Sequence, residues 1–221
     1  MYAAKEMFFT KGVGRHKQRL TSFEMALRDA DIAPYNWVTV SSIYAPRCTI
    51  LTRKKGVAKL RDGQVANCVL ARQDTNEPGR LIAASIGLAV PKKRNAYGYL
   101  SEHHSYGETD EIAGEYAEDL AATMLATTLG IEFDAERAWK EREQVYKASG
   151  RIITARNITQ SAVGSKNGDW TTVIAAGVFI PPDVDKMQEC TEGIRPYLDA
   201  LREEGVTPDE FRKYIRRMKR R

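Results

Sequence analysis

Cysteine, histidine and long apolar runs are all scarce in this chain, and each scarcity closes off a class of function. Three cysteines, Cys48, Cys68 and Cys190, are too few and too widely spaced for a disulfide framework or a cysteine-based zinc site, which points to a reducing, cytoplasmic setting. Three histidines, His16, His103 and His104, form no metal-ligand spacing, so no metal is expected. The first residues, Met-Tyr-Ala-Ala-Lys-Glu-Met-Phe-Phe-Thr-Lys-Gly12, hold no apolar run of signal-peptide length. The most apolar stretch, Leu81 to Val90, is sized for a strand rather than a bilayer, so no membrane partner is expected. Basic residues are in excess at one end only. Arg212, Lys213, Arg216, Arg217, Lys219, Arg220 and Arg221 supply seven positive charges with no acid among them, so a formal net charge of +5 leaves residues 1–211 at −2. The body is not a nucleic-acid platform, and the tail reads as a solvated charged end. Gly12-Val-Gly14-Arg-His-Lys17 lacks the third glycine and the Gly-Lys-Ser/Thr ending of a phosphate-binding loop.

What the chain does contain is enough for one sizeable core: 221 residues, 43% of them apolar. Alternating and β-branched runs predict strands near Glu6–Phe9, Trp37–Ser41, Cys48–Thr52, Gln64–Ala71, Leu81–Val90, Gly98–His103, Arg151–Ser161 and Thr171–Ile180. Asn76-Glu-Pro-Gly79 and Lys166-Asn-Gly-Asp169 supply turn chemistry between them. A first helix, Thr21 to Asp31, opens on Thr21-Ser-Phe-Glu24, a capping-box pattern. A second runs from Asp110 to Leu129 and stops at Gly130, with acids at its start and an alanine-rich interior suited to lying on a sheet. Strand runs interrupted by two helices predict an α+β layered sandwich. Trp37, Trp139 and Trp170 read as core or interface residues. After Pro181-Pro182 the character changes: Asp185 to Glu204 reads as a helix broken at Pro196, and Thr207-Pro208-Asp209-Glu210 opens another. A boundary near Asp183 divides a core, residues 1–183, from a helical, basic C-terminal extension, residues 184–221.

One tripeptide carries chemistry. Ser41-Ser42-Ile43 closes the apolar stretch that begins at Asn36, and a serine pair at a strand end can be a self-cleavage site. The Ser42 hydroxyl attacks the Ser41 carbonyl to give an ester. Elimination leaves dehydroalanine, and hydrolysis then gives a pyruvoyl group and ammonia. The reaction needs a strained strand end and a donor for the oxyanion, for which Asn36 is a candidate. Glu102, in Gly98-Tyr-Leu-Ser-Glu102-His103, is an acid out of character on a strand-like run, and so a candidate proton donor. Glu24 either completes a cap with Thr21 or offers a carboxylate to a cation.

The stretch from Leu20 through Phe23-Glu24-Met-Ala-Leu27, Asn36 and Ser41-Ser42 to Pro46 resembles the pyruvoyl-dependent arginine decarboxylase family. So do the segments Ile82 to Pro91, Tyr97 to Glu102 and Thr171 to Ile180. Ala45 stands where that family commonly has a Pro-Pro pair. The resemblance implies a four-layer αββα sandwich assembled as trimers or pairs of trimers, with active sites between neighbouring subunits. It implies cleavage between Ser41 and Ser42 assisted by Asn36, and a covalent pyruvoyl group derived from Ser42. Glu102 becomes the proton donor, Glu24 the partner of the substrate's guanidinium, Leu27 the wall beside its aliphatic part, and Ser41 the source of a second pocket carboxylate. The glycine-containing segment at Gly12 becomes a turn before the first helix. The expected reaction converts L-arginine to agmatine and carbon dioxide. Two alternatives stay open: another amino acid, such as histidine, on the same scaffold, or an uncleaved protein that binds a partner or RNA through its tail.

Overall fold

The computed structural model describes residues 3–132 and 149–182, with Gly205 and Thr207. The chain divides into two compact units, Met1–Pro181 and Pro182–Arg221. The expected helices after Asp185 and Trp139 lie outside the described residues.

Two sheets form the body. The first orders its strands β2 (Asn36–Thr39), β5 (Val65–Thr75), β9 (Trp170–Phe179), β1 (Glu6–His16), β4 (Thr49–Leu51), and the second β3 (Ile43–Tyr44), β7 (Gly98–Tyr106), β6 (Leu81–Pro91), β8 (Ile152–Val163). Met7, Val69, Ala71, Val173 and Ala175 of the first sheet meet Ile82, Ala84, Ile86, Leu88 and Leu100 of the second in the central core. Helix α1 (Arg19–Asp29) covers the outer face of the first sheet, where Ala26, Leu27, Ala30 and Ile32 pack on Phe8, Ile174, Ala176 and Val178. Helix α3 (Asp110–Thr128) covers the second, through Ala121, Ala122, Leu125 and Ala126 over Ala89 and Ile152. The layers run α, β, β, α, as expected; a short α2 (Arg53–Val57) follows β4.

Three of the differences between the sequence-based expectations and the structure have an identifiable physical cause. The Gly12-Val-Gly14 segment is not a turn but the interior of an eleven-residue strand. A Cβ at Gly12 would lie 2.2 Å from the Ala26 carbonyl oxygen, and one at Gly14 would lie 2.1 Å from that of Ser22. These glycines let α1 rest directly on β1. The first helix starts at Arg19 with Gln18 as its N-cap, so Thr21 and Glu24 form no capping box. Ser22 is buried there, its hydroxyl 2.7 Å from that of Thr172, which fixes the first turn by tertiary contact. The same helix ends in a Schellman motif: Ile32 N–H donates to the Leu27 carbonyl and Asp31 N–H to that of Arg28, with Asp31 at φ 59°. Finally, the strand expected to run to Ser41 stops at Thr39. By contrast, α3 begins on the Thr109 cap and ends at Gly130, at φ 62°, close to its expected bounds.

Candidate active site

The reason β2 stops early is that the chain changes sheets. β2 is an edge strand of the five-stranded sheet, paired in parallel with β5 from Asn36–Val65 to Thr39–Cys68, and the Val40 amide adds one more bond to the Cys68 carbonyl at 3.0 Å. Two residues later the chain belongs to the other sheet: the Leu100 amide donates to the Ser42 carbonyl at 2.8 Å, and β3 pairs antiparallel with β7. The Ser41–Ser42 peptide bond is therefore the crossing between sheets. It is held on its N-terminal side by β5 and on its C-terminal side by β7. Ser41 is exposed and Ser42 half-buried. The Ser41 carbonyl oxygen accepts the Ile43 amide at 2.9 Å, closing a three-residue turn centred on Ser42.

Glu102 sits beside this crossing. Side chains alternate along β7, so Glu102 and His104 share the face of Leu100, which points into the core between the sheets, while Ser101 points the other way and donates to the Ala117 carbonyl of α3. From Leu100, bonded to Ser42, Glu102 is two residues on, about 7 Å along the strand. Burial pushes the Glu102 carboxyl above the ordinary glutamate value, and the nearby His104 offsets part of that shift. Its charge is also felt by the Cys68 thiol, pushed up to about 12 chiefly by burial and further by Glu102. Glu102 is exposed, at the rim where the β2–β5 end of one sheet meets the inner face of the other, so its desolvation is partial. A carboxyl of raised proton affinity holds a proton more readily near neutral pH than a solvated one. His104 is a neighbour that the sequence reading missed; period-two alternation from Leu100 was the signal for it.

Within one chain the other candidates lie elsewhere. The Asn36 amide nitrogen donates to the Gly63 carbonyl at 2.9 Å. Val40 is four residue steps further along extended chain, a span of about 13 Å, so the Asn36 side chain does not reach the Ser41 carbonyl of its own chain. Glu24 is on α1, where Arg28, one turn on, donates to its carboxylate at 2.5 Å. That i,i+4 partner was legible from spacing. Leu27 is 9% exposed and packs with Ile32 behind the helix, and Trp37, next to Asn36, bonds the Ile32 carbonyl through its indole N–H at 2.9 Å. Ser41, Ser42 and Glu102 form one group, and Glu24, Leu27 and Asn36 lie on the α1–β2 side of the first sheet.

The histidines have other company. His103 Nε2 and the Glu108 carboxylate are 2.8 Å apart, with Tyr116 against the imidazole, and His16 Nδ1 accepts the Gln18 amide.

Comparison with known proteins covers the segment that holds these residues. The family described as pyruvoyl-dependent arginine decarboxylase matches residues 6–183. Pyruvoyl-dependent arginine decarboxylase 2 of Methanosarcina acetivorans is 64% identical over 176 residues, covering 80% of this chain and 96% of that protein. A probable pyruvoyl-dependent arginine decarboxylase of Chloroherpeton thalassium is 62% identical over 180 residues, covering 81% and 99%. The pyruvoyl-dependent arginine decarboxylase of Methanococcoides burtonii is 58% identical over 176 residues, covering 80% and 98%. A chain with this sheet-crossing serine pair, matched along its whole sandwich, belongs to the pyruvoyl-dependent arginine decarboxylase family.

Proposed function

We propose that the chain cleaves itself between Ser41 and Ser42, carries a pyruvoyl group at residue 42, and decarboxylates L-arginine to agmatine and carbon dioxide in the cytoplasm. The observation that carries this reading is the position of the serine pair. A cut at the crossing leaves Val40 bonded to β5 and residue 42 bonded to β7, so both new ends stay in place beside Glu102. The surroundings fit a small carbonyl group there: residue 42 is half-buried at the crossing, and its own carbonyl is held by the Leu100 amide.

The pyruvoyl group supplies an electron sink for the pair released as carbon dioxide leaves. The chain's own residues do the rest. Glu102, its carboxyl raised by burial, holds the proton that the substrate carbon must receive. The carboxylate freed at Ser41 adds negative charge to the pocket. Glu24 takes the guanidinium by charge-assisted hydrogen bonds and Leu27 lines the wall beside it.

Because Asn36, Glu24 and Leu27 lie apart from Ser42 and Glu102 within one chain, the complete pocket forms between subunits of a homotrimer or a pair of trimers. Asn36, Glu24 and Leu27 come from one subunit and face Ser42 and Glu102 of the next. Exposed apolar side chains support this: Val38 is 46% exposed, Val65 62% and Ile43 42%, all on or beside the open edge at β2 and β3. They mark an apolar surface suited to a second copy. No helix among the described residues is long and apolar enough to cross a membrane. The matched segment, residues 6–183, holds the serine pair and Glu102, so we place the reaction in the core, residues 1–183, with a basic extension at 184–221.

The test is an assay of purified protein for carbon dioxide release from L-arginine, L-histidine and other amino acids. Arginine is expected to turn over fastest, and faster turnover of histidine overturns the substrate assignment. Ser42→Ala is expected to remain one intact, inactive chain, and a cleaved, active Ser42→Ala protein overturns the pyruvoyl reading.

A further inference from the structure

Self-cleavage at Ser41–Ser42, on which this inference rests, begins when the Ser42 hydroxyl oxygen bonds to the Ser41 carbonyl carbon. The carbonyl oxygen then bears a negative charge until the Ser41–Ser42 carbon–nitrogen bond breaks. The hydroxyl proton ends on the Ser42 nitrogen, leaving an ester and an amine with no outside reactant. What makes or breaks the rate is a donor already aimed at that oxygen. The side chain of Asn36 is tied to Gly63 and stands about four extended residues away along its own chain, out of reach.

The backbone of Ile43 is in place. Its amide is 2.9 Å from the Ser41 carbonyl oxygen. That bond is not an accident of strand pairing. Since the Leu100 amide bonds the Ser42 carbonyl, the Ile43–Tyr99 pair next along the ladder is a non-hydrogen-bonded one, and the Ile43 N–H faces away from β7. On that side no further strand among the described residues waits to accept it, because β3 is the edge of the sheet they form. The ladder thus leaves one free donor next to the scissile bond, and the turn around Ser42 aims it back at the carbonyl that must become an oxyanion. The same turn sets the nucleophile and the donor on consecutive residues, so the two cannot drift apart while the sheet holds residues 42 to 44.

We infer that the Ile43 backbone N–H is the oxyanion donor of the subunit's own cleavage reaction, and that the change of sheet at residues 40–43 exists to free and aim it. Asn36 of a neighbouring subunit then supplements this donor rather than replacing it. The consequence is that an isolated subunit retains part of its capacity to mature.

Two changes remove this N–H by different routes. Ile43→Pro deletes it but leaves the Ser42 carbonyl a full acceptor for Leu100. An ester in place of the Ser42–Ile43 amide, made with α-hydroxy-isoleucine at position 43, keeps the side chain and removes the N–H while weakening that acceptor. The loss of the N–H is what they share. Both chains, checked for native circular dichroism, are followed by intact mass from the uncleaved to the cleaved form. Each is expected to mature about 10²–10³-fold more slowly than the unmodified chain, the range seen when one oxyanion donor is lost. A natively folded Pro or ester chain that matures within about threefold of the unmodified one overturns the inference. An unmodified chain that never cleaves overturns instead the self-cleavage reading beneath it.

Discussion

At the scale of single residues, the account turns on which carboxylate does what. Glu102 and Glu24 are both acids on regular elements; Glu102, though exposed, is held above its ordinary proton affinity by partial desolvation. The sign of its effect on stability follows. A carboxyl whose folded value is raised favours the fold while it is protonated and loses that advantage as pH rises from the unfolded value through the folded one. Glu102→Gln removes the titration. We therefore expect this variant to melt higher than the parent at pH 7, with the gap closing on acidification below the ordinary glutamate value, and to mature normally while losing most of its turnover. Thermal melts across pH, run beside activity, separate the two effects; near-normal turnover removes Glu102 as proton donor. Glu24 is tied to Arg28 across one helical turn, a pair worth only about 0.3–0.5 kcal/mol at a surface, so a substrate guanidinium can compete for it. Glu24→Gln is expected to leave the melting temperature nearly unchanged and to raise KM for arginine about tenfold or more, because a charged acceptor contributes roughly 1.5–3 kcal/mol. An unchanged KM makes Glu24 a partner of Arg28 and nothing more.

At the scale of elements, the structure shows where local signals suffice and where tertiary contact decides. The start of α3 at Asp110 and its stop at Gly130 were legible because first-turn acids and a terminal glycine act on the helix's own end groups. The hydrophobic strands β6 and β9 were legible because they are buried on both faces and read as continuous apolar runs. The turn that the resemblance implied at Gly12 is instead strand, because Gly12 and Gly14 permit the approach of α1 to β1, a fact that lies in another element. The capping box at Thr21–Glu24 failed for a similar reason: the buried Ser22–Thr172 contact sets the start of the helix, leaving Gln18 as a cap without a side-chain bond. Ser41–Ser42 was visible as a motif, but not as a change of sheet, since β3 is only two residues long and carries no period. Nor did spacing in sequence reveal that Asn36 is remote from Ser41, because that depends on the intervening strand staying extended. The α1–β1 contact can be measured directly. Gly14→Ala places a Cβ 2.1 Å from the Ser22 carbonyl oxygen and 2.4 Å from the Ala26 nitrogen, both backbone atoms. Overpacking of that kind costs about 1–3 kcal/mol, which should appear as a lower urea midpoint with an unchanged slope. An unshifted midpoint means that α1 does not lie on β1 as described.

At the scale of the whole molecule, the proposed pocket between subunits rests on the separation of Ser42 and Glu102 from Glu24, Leu27 and Asn36 within one chain. Co-expressed Ser42→Ala and Glu24→Arg chains test this, since each supplies what the other lacks. Mixed oligomers are expected to recover decarboxylase activity that neither variant has alone, and mixed oligomers that stay inactive place the complete pocket within one chain. All of this presupposes that the chain cuts itself. The most direct measurement is the intact mass of the purified protein under denaturing conditions. Two pieces are expected, residues 1–41 ending in a normal carboxylate and residues 42–221 beginning with a pyruvoyl group; a single chain of 24.8 kDa that releases no carbon dioxide from arginine contradicts the account.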